Sequence, residues 1–480
     1  MADTSDKKIF AGTRIKRLRR DLGLTQAQMA DDLGISTSYL NLLERNQRPL
    51  SAQLLLRLAD SFEVDLKDFS GDDEARAAAS LKEVFADPLF EGLSVANAEL
   101  ADMVGASPAA AQAVVTLYRA YRNSVTNSAA LAERMESGTG ARQPDALRQP
   151  LEEVRDFFTE AGNHFPALEA ATELLWADAE FSQSDLYWQL RDYLKRSHDI
   201  SVRTVPADVL ADSRWRLDRH SKRLFVSQAL DLSTRTFVLA HQIGLLGHRD
   251  LLNQVINDAG LSKEATPLAR LGLANYFAAA VMMPYENFLT TAEKWRYDAD
   301  AIAARFGASY EQVCHRFTAL QRPGARGVPF FFLRIDHAGN ISKQLSAGGF
   351  HFARFGGACP RWNIYESFQS PGRILPQLLE MEDGTTYFTF SRALVSLGDG
   401  YNKPASLHAI GMGCRIDYVR KLVYADGIDL KNKAAITPAG TNCRLCERPD
   451  CTMRAFPPLN RRVSVPEFQR GASPFAFESW

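Results

Sequence analysis

Apolar residues recur at helical spacing from the start of the chain. Met29, Ala30 and Leu33 form one stripe and Leu40 and Leu43 a second, with Gly34 between them. Positions three and four apart share a helix face, so the pattern predicts two short helices joined by a tight turn. Thr25 precedes the first helix as an N-cap, and Gln28 completes a T-x-x-Q capping box that satisfies two otherwise orphaned backbone donors. Gly34 takes the turn, where a residue without a Cβ adopts positive φ at little cost. Ser36 or Thr37 caps the second helix, which leaves Thr37, Ser38, Tyr39, Asn41 and Glu44 facing outward. Beyond Pro49, Ser51 can cap a further helix carrying Leu54, Leu55, Leu58 and Phe62. Ala75 to Phe85 and Leu100 to Tyr121 continue in Ala- and Leu-rich amphipathic repeats, broken at Gly105-Ala-Ser-Pro108. They read as a helical spacer or dimer-forming element, with a second helix-turn-helix as the sharper alternative.

Helical spacing runs again from about Leu151 to Ser197, and then the period changes. Ile200 to Val205 reads as a strand, and Trp215 to Val226 alternates on either side of a polar turn, as a β-hairpin does. After more helices to Leu320, Phe330 to Lys343 predicts a hairpin turning at His337-Ala-Gly-Asn340, with strands at Thr386 to Val395 and Ser406 to Met412. The expected fold is mostly α in the N-terminal half and α+β in the middle and C-terminal parts. The polar and Gly-rich breaks at Ser137 to Pro144 and Arg322 to Pro329 divide the chain. The divisions are an arm at 1–9, a head at 10–70, a helical spacer at 71–136, a linker at 137–150, a middle domain at 151–320 and a C-terminal domain at 321–480.

Composition adds bounds. A length of 480 residues suits several domains, and 46% apolar content supports real cores. The net charge is −1, so basic character is local rather than spread over the whole molecule. No apolar run reaches membrane-spanning length and the start lacks a signal-peptide core, which points to a cytoplasmic protein with no membrane partner. In a reducing compartment the six cysteines are metal ligands or core thiols rather than a disulfide framework.

Charge sharpens the reading of the head. Arg14, Lys16, Arg17, Arg19 and Arg20 precede the two-helix motif, and Arg45, Asn46, Gln47 and Arg48 follow it. Basic residues on both edges of a groove-sized helix are what phosphate anchoring requires. Phe10 to Phe69 resembles the five-helix DNA-binding domain of phage repressors and xenobiotic-response-type regulators. Arg14, Arg17, Gln26, Arg45 and Arg48 are then the expected phosphate contacts. Thr37, Ser38, Tyr39 and Asn41 are the expected base readers in the major groove. Two-fold operators call for a homodimer.

Ser233 to His248 resembles the active-site helix of the minimal zinc peptidases of the phage-immunity and radiation-response type. That helix normally carries H-E-x-x-H, two zinc-binding histidines and a general base. Here His241 keeps the first position, but Gln242 replaces the Glu and Leu245 the second histidine. An amide accepts no proton from water at neutral pH, and a hydrocarbon binds no metal. Downstream, Leu273 stands where an acidic third ligand normally precedes Ala-Asn. The module therefore reads as a scaffold rather than an enzyme, with His241 a core histidine. The competing class is a metallopeptidase that cleaves a repressor.

Cys443-x2-Cys446-x4-Cys451 lets three thiolates converge on one centre. Cys414, flanked by glycines, is the expected fourth ligand, and Cys359 the alternate. Spacing alone leaves zinc and an iron–sulfur cluster open, and Cys314 reads as a core thiol. The tail C-R-x-C-E-R-x-D-C-x-x-R-A-F-P-P and the stretch Gly349 to Trp362, with the order of domains, resemble the bacterial short-chain fatty acyl regulators. The resemblance covers nearly the whole chain. It implies a transcriptional regulator of propionate or acetate metabolism, a short acyl-CoA effector and, in at least some members, a [4Fe–4S] cluster. A redox sensor with the cluster as its effector is the remaining alternative. A CoA site needs cations for phosphates and an aromatic for adenine, for which Arg334, Arg354, Arg361 and Trp362 are the candidates.

Overall fold

The computed structural model describes residues 12–62 except 46 and 49, 72–122 except 91–92, 94 and 119, and 148–210. It further describes 213–396 except 351 and 353–358, 406–458 except 431, and 463–464, 471, 473 and 475–477. The expected arm, the Ser137 to Pro144 linker, Arg354 and the side chains of Arg14 and Arg17 lie outside the described residues. The chain forms two compact units, Met1–Ala129 and Ala130–Trp480.

In the first unit, α1 (Gly12–Asp21), α2 (Gln26–Asp32), α3 (Thr37–Glu44) and α4 (Ala52–Phe62) enclose a core of Ile15, Met29, Ala30, Leu33, Leu40, Leu43, Leu50, Leu54 and Leu58. The Thr25–Gln28 capping box forms, Ser36 caps α3 through the backbone N–H of Tyr39, and Gly34 turns at φ +63°. Two elements, α5 (Asp72–Phe85) and α6 (Asn97–Ala106), follow, and Ser107 separates α6 from a further helix, α7 (Pro108–Arg122). Asp87 accepts from the Tyr118 hydroxyl at 2.7 Å and from Arg122 at 2.9 Å, which ties α7 back to the segment after α5. Leu89, Leu93 and Leu117 are 55%, 62% and 73% exposed, so this spacer carries apolar surface that its own unit does not cover. Among the described residues no single helix is long and apolar enough to cross a membrane.

The second unit opens with α8 (Arg148–Glu160), α9 (Pro166–Ala179) and α10 (Leu186–His198). A small sheet of β1 (Ser201–Val205), β2 (Trp215–Asp218) and β3 (Arg223–Ser227) comes next, the expected hairpin pairing Trp215 with Val226. Six helices follow: α11 (Leu232–Gly247), α12 (Arg249–Asp258), α13 (Ala265–Met282), α14 (Tyr285–Lys294), α15 (Ala299–Phe306) and α16 (Tyr310–Phe317). The chain then builds β4 (Phe331–Asp336), β5 (Ile341–Ser346), β6 (Leu375–Glu380), β7 (Thr386–Ser396), β8 (Ser406–Arg415) and β9 (Ile436–Pro438). Their order is β5-β4-β8-β7-β6-β9, antiparallel except where β9 runs parallel to β6. A short ladder of β10 (Val463–Ser464) and β11 (Ala476–Phe477) lies near the end.

Strand alternation gives the six-stranded sheet two different faces. Phe330, Phe332, Phe388, Phe390, Ile410, Met412 and Cys414 join the helices of the middle domain in one core. Phe331, Leu333, Ile335, Ala393 and Ala409 face the other way and pack with Phe350, Cys359 and Trp362. The first core runs without a break from Phe157 to Leu422. The expected division at 320/321 is thus a change of architecture inside one core, not a gap between cores. Strands β6 and β9 are absent from the sequence reading. Leu375-Pro-Gln-Leu-Leu-Glu380 does not alternate and carries a Pro at its second position, and three-residue β9 ends in one.

One buried ion pair spans the helical half. Arg316 of α16 and Glu169 of α9 are each 1% exposed, joined by hydrogen bonds of 2.6 and 2.9 Å. The Tyr276 hydroxyl of α13 also donates to Glu169, and Arg316 Nε donates to the Met283 carbonyl at 3.1 Å. Burial alone would raise the Glu169 carboxyl, but the Arg316 charge and hydrogen bonds outweigh it and hold it below the usual carboxylate value. Its folded value is the lower one, so the stability it confers is complete above pH 4.5 and is lost as acid protonates it. Glu169→Gln should cost about 3–5 kcal/mol by chemical denaturation at pH 7, because Arg316 is left charged and unpaired. Glu169→Leu with Arg316→Met should cost less than Glu169→Gln alone. A single variant within about 0.5 kcal/mol of the parent would show that water reaches the pair.

Candidate nucleic-acid interface and thiol centre

In the head, α3 presents Thr37 and Ser38 exposed and Tyr39 and Asn41 half-buried, while Arg45 and Arg48 are exposed just beyond its end. Glu44 departs from the sequence expectation. It is 7% exposed and turned inward, accepting from Arg19 Nε at 2.6 Å, Arg19 Nη2 at 3.3 Å and Gln26 Nε2 at 2.6 Å. Gln26 thus commits its amide nitrogen to Glu44, and Arg19, which also donates to the Leu24 carbonyl at 3.0 Å, is spent on joining α1 to α3. Helical spacing placed Glu44 in the outward set; its pairing with Arg19, 25 residues earlier, carries no local signal. Burial would raise the Glu44 carboxyl, but Arg19 and Gln26 together hold it down. The result is a rigid base for a short polar helix whose outer face stays open.

In the middle domain, α11 packs along α13, and Gly244 lets the Phe277 ring come close enough that a Cβ would sit 2.9 Å from its Cδ1. His241 and Gln242 are both buried on α11, with Gln242 Nε2 3.3 Å from His241 Nδ1. Trp215 and Phe237 stand over the imidazole at 5.9 and 6.5 Å between ring centres. Leu273 is fully buried in the core of α13, and Leu245 packs against that core. Where a peptidase would gather two histidines, a carboxylate and a general base, the described chain holds one imidazole, one amide and two hydrocarbons.

The C-terminal cysteines divide between the two faces of the sheet. Cys414 lies on β8 with Ile410 and Met412, in the core shared with the helices. The glycines beside it serve packing: a Cβ on Gly413 would lie 2.3 Å from Phe331, and one on Gly411 2.9 Å from Ile364. Cys359 lies on the opposite face. It is Cys359, not Cys414, that stands close enough to Cys443 and Cys451 for their charges to act on it. Burial, helped by that repulsion, pushes its thiol up, while the backbone N–H groups of Gly440 and Arg361 donate to the sulfur. Cys446 is pushed up to about 12 by burial and by the neighbouring Glu382. Its sulfur packs on Gly440, where a Cβ would lie 3.0 Å away.

Two arginines, one buried and one half-buried, frame the thiol loop. Arg454 is 4% exposed and donates to the Cys443 and Cys446 carbonyls at 2.9 and 3.1 Å, and Arg448 holds the Glu380 and Met381 carbonyls at 2.8 and 3.0 Å. Asn442, 2% exposed, accepts from the backbone of Leu445 and Cys446. The loop is thus built around backbone contacts that leave the sulfurs as its available ligating atoms. Among the described residues, no three His, Cys, Asp or Glu side chains are gathered tightly enough for a single metal ion. Of the expected CoA contacts, Arg334 lies on the helix-facing side of β4, where Nη1 binds Glu311 at 2.8 Å, while Trp362 packs on the other side. Strand alternation therefore separates these two. Arg361 is half-buried next to Trp362, whose buried indole N–H has no acceptor among the described residues.

A groove-sized polar helix on a rigid base, followed by a peptidase helix stripped of its ligands, defines a multidomain helix-turn-helix regulator. Residues 15–69 match the helix-turn-helix family, 195–318 the IrrE N-terminal-like domain, and 319–475 the short-chain fatty acyl coenzyme A regulator C-terminal family. The HTH-type transcriptional regulator RamB of Mycobacterium tuberculosis is 40% identical over 472 residues, 98% of each chain. The propionyl-CoA carboxylase regulator of Cereibacter sphaeroides is 39% identical, covering 98% of this chain and 99% of its own. A solved Mycobacterium tuberculosis transcriptional regulator superposes with a TM-score of 0.65 at 41% identity, over 68% of this chain and 99% of the other. The chain belongs to the short-chain fatty acyl coenzyme A regulators.

Burial pushes the His241 imidazole down to about 4. Its folded value lies below the unfolded value of 6.5, so the unfolded chain takes up the proton first and stability falls as pH drops from 6.5 to about 4. Between pH 7 and pH 5 this residue should cost about 2 kcal/mol. Urea titrations at the two pH values should show that difference shrinking in His241→Gln. An equal pH dependence in parent and variant would mean that the imidazole is solvated.

Proposed function

We propose that this DNA-binding regulator reads a two-fold operator as a homodimer and responds to a short-chain acyl-CoA. The observation that carries the reading is one chain joining a helix-turn-helix head to a C-terminal domain of the short-chain fatty acyl-CoA regulator family. Exposed Arg45 and Arg48 are suited to phosphates, and Thr37, Ser38, Tyr39 and Asn41 to base edges. The uncovered leucines around α7 support pairing with a second copy. The ligand must favour one DNA-binding arrangement of the dimer over the other, since equal affinity for both would shift nothing. The peptidase-like module, with Gln242, Leu245 and Leu273 at its key positions, acts as a scaffold without turnover.

The same reading gives Cys359, Cys443, Cys446 and Cys451 a [4Fe–4S] cluster. Backbone N–H groups on the Cys359 sulfur and the buried Arg454 suit an anionic, thiolate-ligated group. Thiols close enough to interact, yet not gathered around one point, suit a multi-iron cage better than a zinc ion with its bonds of about 2.3 Å. When bound, such a cluster supplies an oxidation-sensitive link between the loop and the sheet. The chain's part is to release the thiol protons, hold the loop through Arg448 and Arg454, and shield the sulfurs.

Fluorescence anisotropy on the promoters beside its own gene tests the regulatory reading. Propionyl-CoA or acetyl-CoA should change operator affinity at least several-fold, and Arg45→Ala and Arg48→Ala should each lower the salt slope by about 1. Asn41→Ala should instead cost about 1–3 kcal/mol at particular base pairs. Operator binding that ignores both thioesters would remove the acyl-CoA claim. For the cluster, anaerobically purified Cys359→Ala should lose visible absorption, iron and sulfide, whereas Cys414→Ala should keep them. The reverse pattern, or stoichiometric zinc in colourless protein, would refute the ligand set.

A further inference from the structure

One cluster of charge is used by neither the DNA-reading head nor the thiol loop. The β4–β5 hairpin pairs Arg334 directly with Lys343, on the face that looks toward α16. Like charges directly opposite one another on neighbouring strands repel. Among the described residues the carboxylate acting on both is Glu311 in the first turn of α16, and it is already occupied by Arg334 at 2.8 Å and by His408 Nε2 of β8 at 3.3 Å. Arg334 Nε donates to Ser342 Oγ at 2.9 Å. Lys343 has no hydrogen-bond partner among the described residues, although its side chain is largely withdrawn from water. Half-buried His315, whose ring lies 6.0 Å from Phe332, stands on the same side and feels the Lys343 charge.

The groups acting on the amine are few. Burial pulls Lys343 down to about 8, with Glu311 opposing that shift and Arg334 adding to it. Glu311 is held at about 2, since the His408 hydrogen bond and the Arg334 and Lys343 charges outweigh its burial. The carboxylate therefore balances one of two cations, and the second has no counter-ion of its own among the described residues. Arg334 is a third exposed and His408 a quarter, so an ion from solvent can reach the group.

We propose that Arg334, Lys343 and His408 form an oxyanion site for a phosphoryl group, with Lys343 as its principal charge and Glu311 as the internal competitor. A phosphoryl dianion supplies the missing counter-charge and accepts charge-assisted hydrogen bonds from several donors at once. The His408 ring nitrogen adds a further polar contact beside the carboxylate. The cation cluster does not depend on the acyl-CoA reading. That reading bears only on the source of the phosphoryl group, which is either free phosphate or a phosphate ester of CoA.

Calorimetric titration of the full-length protein with inorganic phosphate tests the site. Lys343→Gln removes a repelled charge and leaves the fold intact, and should weaken phosphate at least about tenfold. Glu311→Gln should tighten phosphate, with a thermal melt to check its folding. Absence of phosphate binding at millimolar concentration, or unchanged binding in Lys343→Gln, overturns the proposal. Parallel titrations with CoA and 3′-dephospho-CoA identify the source. Sensitivity of CoA alone to Lys343→Gln assigns the 3′-phosphate, sensitivity of both assigns the pyrophosphate, and sensitivity of neither assigns free phosphate. Operator release by propionyl-CoA that survives Lys343→Gln while phosphate binding is lost would keep the acyl-CoA reading separate from this one.

Discussion

The second unit depends on a buried charge that has one satisfactory place to sit. Arg316 enters the protein interior from α16 and finds Glu169 from α9, the carbonyl of Met283 and the face of Tyr276. Two ions out of water cost several kcal/mol each unless their geometry is nearly fixed. The pair therefore specifies how α9, α13 and α16 meet, even where its net stabilisation is small. Because α16 is pinned there, its remaining faces become reference surfaces. Phe317 packs on Phe330 at 5.7 Å, Glu311 reaches β4 and β8, and the sheet is laid against a helix whose position the ion pair has set.

Alternation in β4 and β8 then distributes chemistry between two environments. A strand repeats every two residues, so neighbours on it are sent to opposite faces. Arg334 and Cys414 go to the side shared with the helices, and Cys359 and Trp362 pack against the other. Charged groups that meet α16 are consequently kept apart from the thiol loop by the thickness of a sheet. Arg334 and Trp362 therefore lie on opposite sides of the sheet, as do Cys414 and Cys359.

Local signals were legible and long-range ones were not. The capping box at Thr25, the turn at Gly34, the hairpin of Trp215 to Val226 and the turn before Asn340 all follow from residues within a few positions of each other. The inward turn of Glu44 and the nearness of Cys359 to Cys443 and Cys451 depend on partners 25 and more than 80 residues away, for which a single chain gives no distance information. Glycines beside Cys414 suggested room for a metal, when the room belongs to Phe331 and Ile364. The Arg334–Lys343 opposition was within reach, since the predicted hairpin and its turn already fixed that register. Strand β6 was not, because Gln377 secures it by binding the Asn363 and Arg361 backbone rather than by an alternating pattern.

The peptidase-like helix shows what fills the positions that carry metal ligands in the H-E-x-x-H pattern. A zinc site is a polar cavity inside an apolar core, tolerable only while the metal neutralises it. Replacing a ligand position by Leu273, fully buried, converts that liability into apolar contact worth about 2 kcal/mol. Gln242 keeps a donor beside His241 without the charge that a buried Glu would carry unpaired. A polar group in place of Leu273 or Leu245 would meet an apolar core. The scaffold is therefore locked by packing, and α11 is free to serve as a rigid wall between the small sheet and α13.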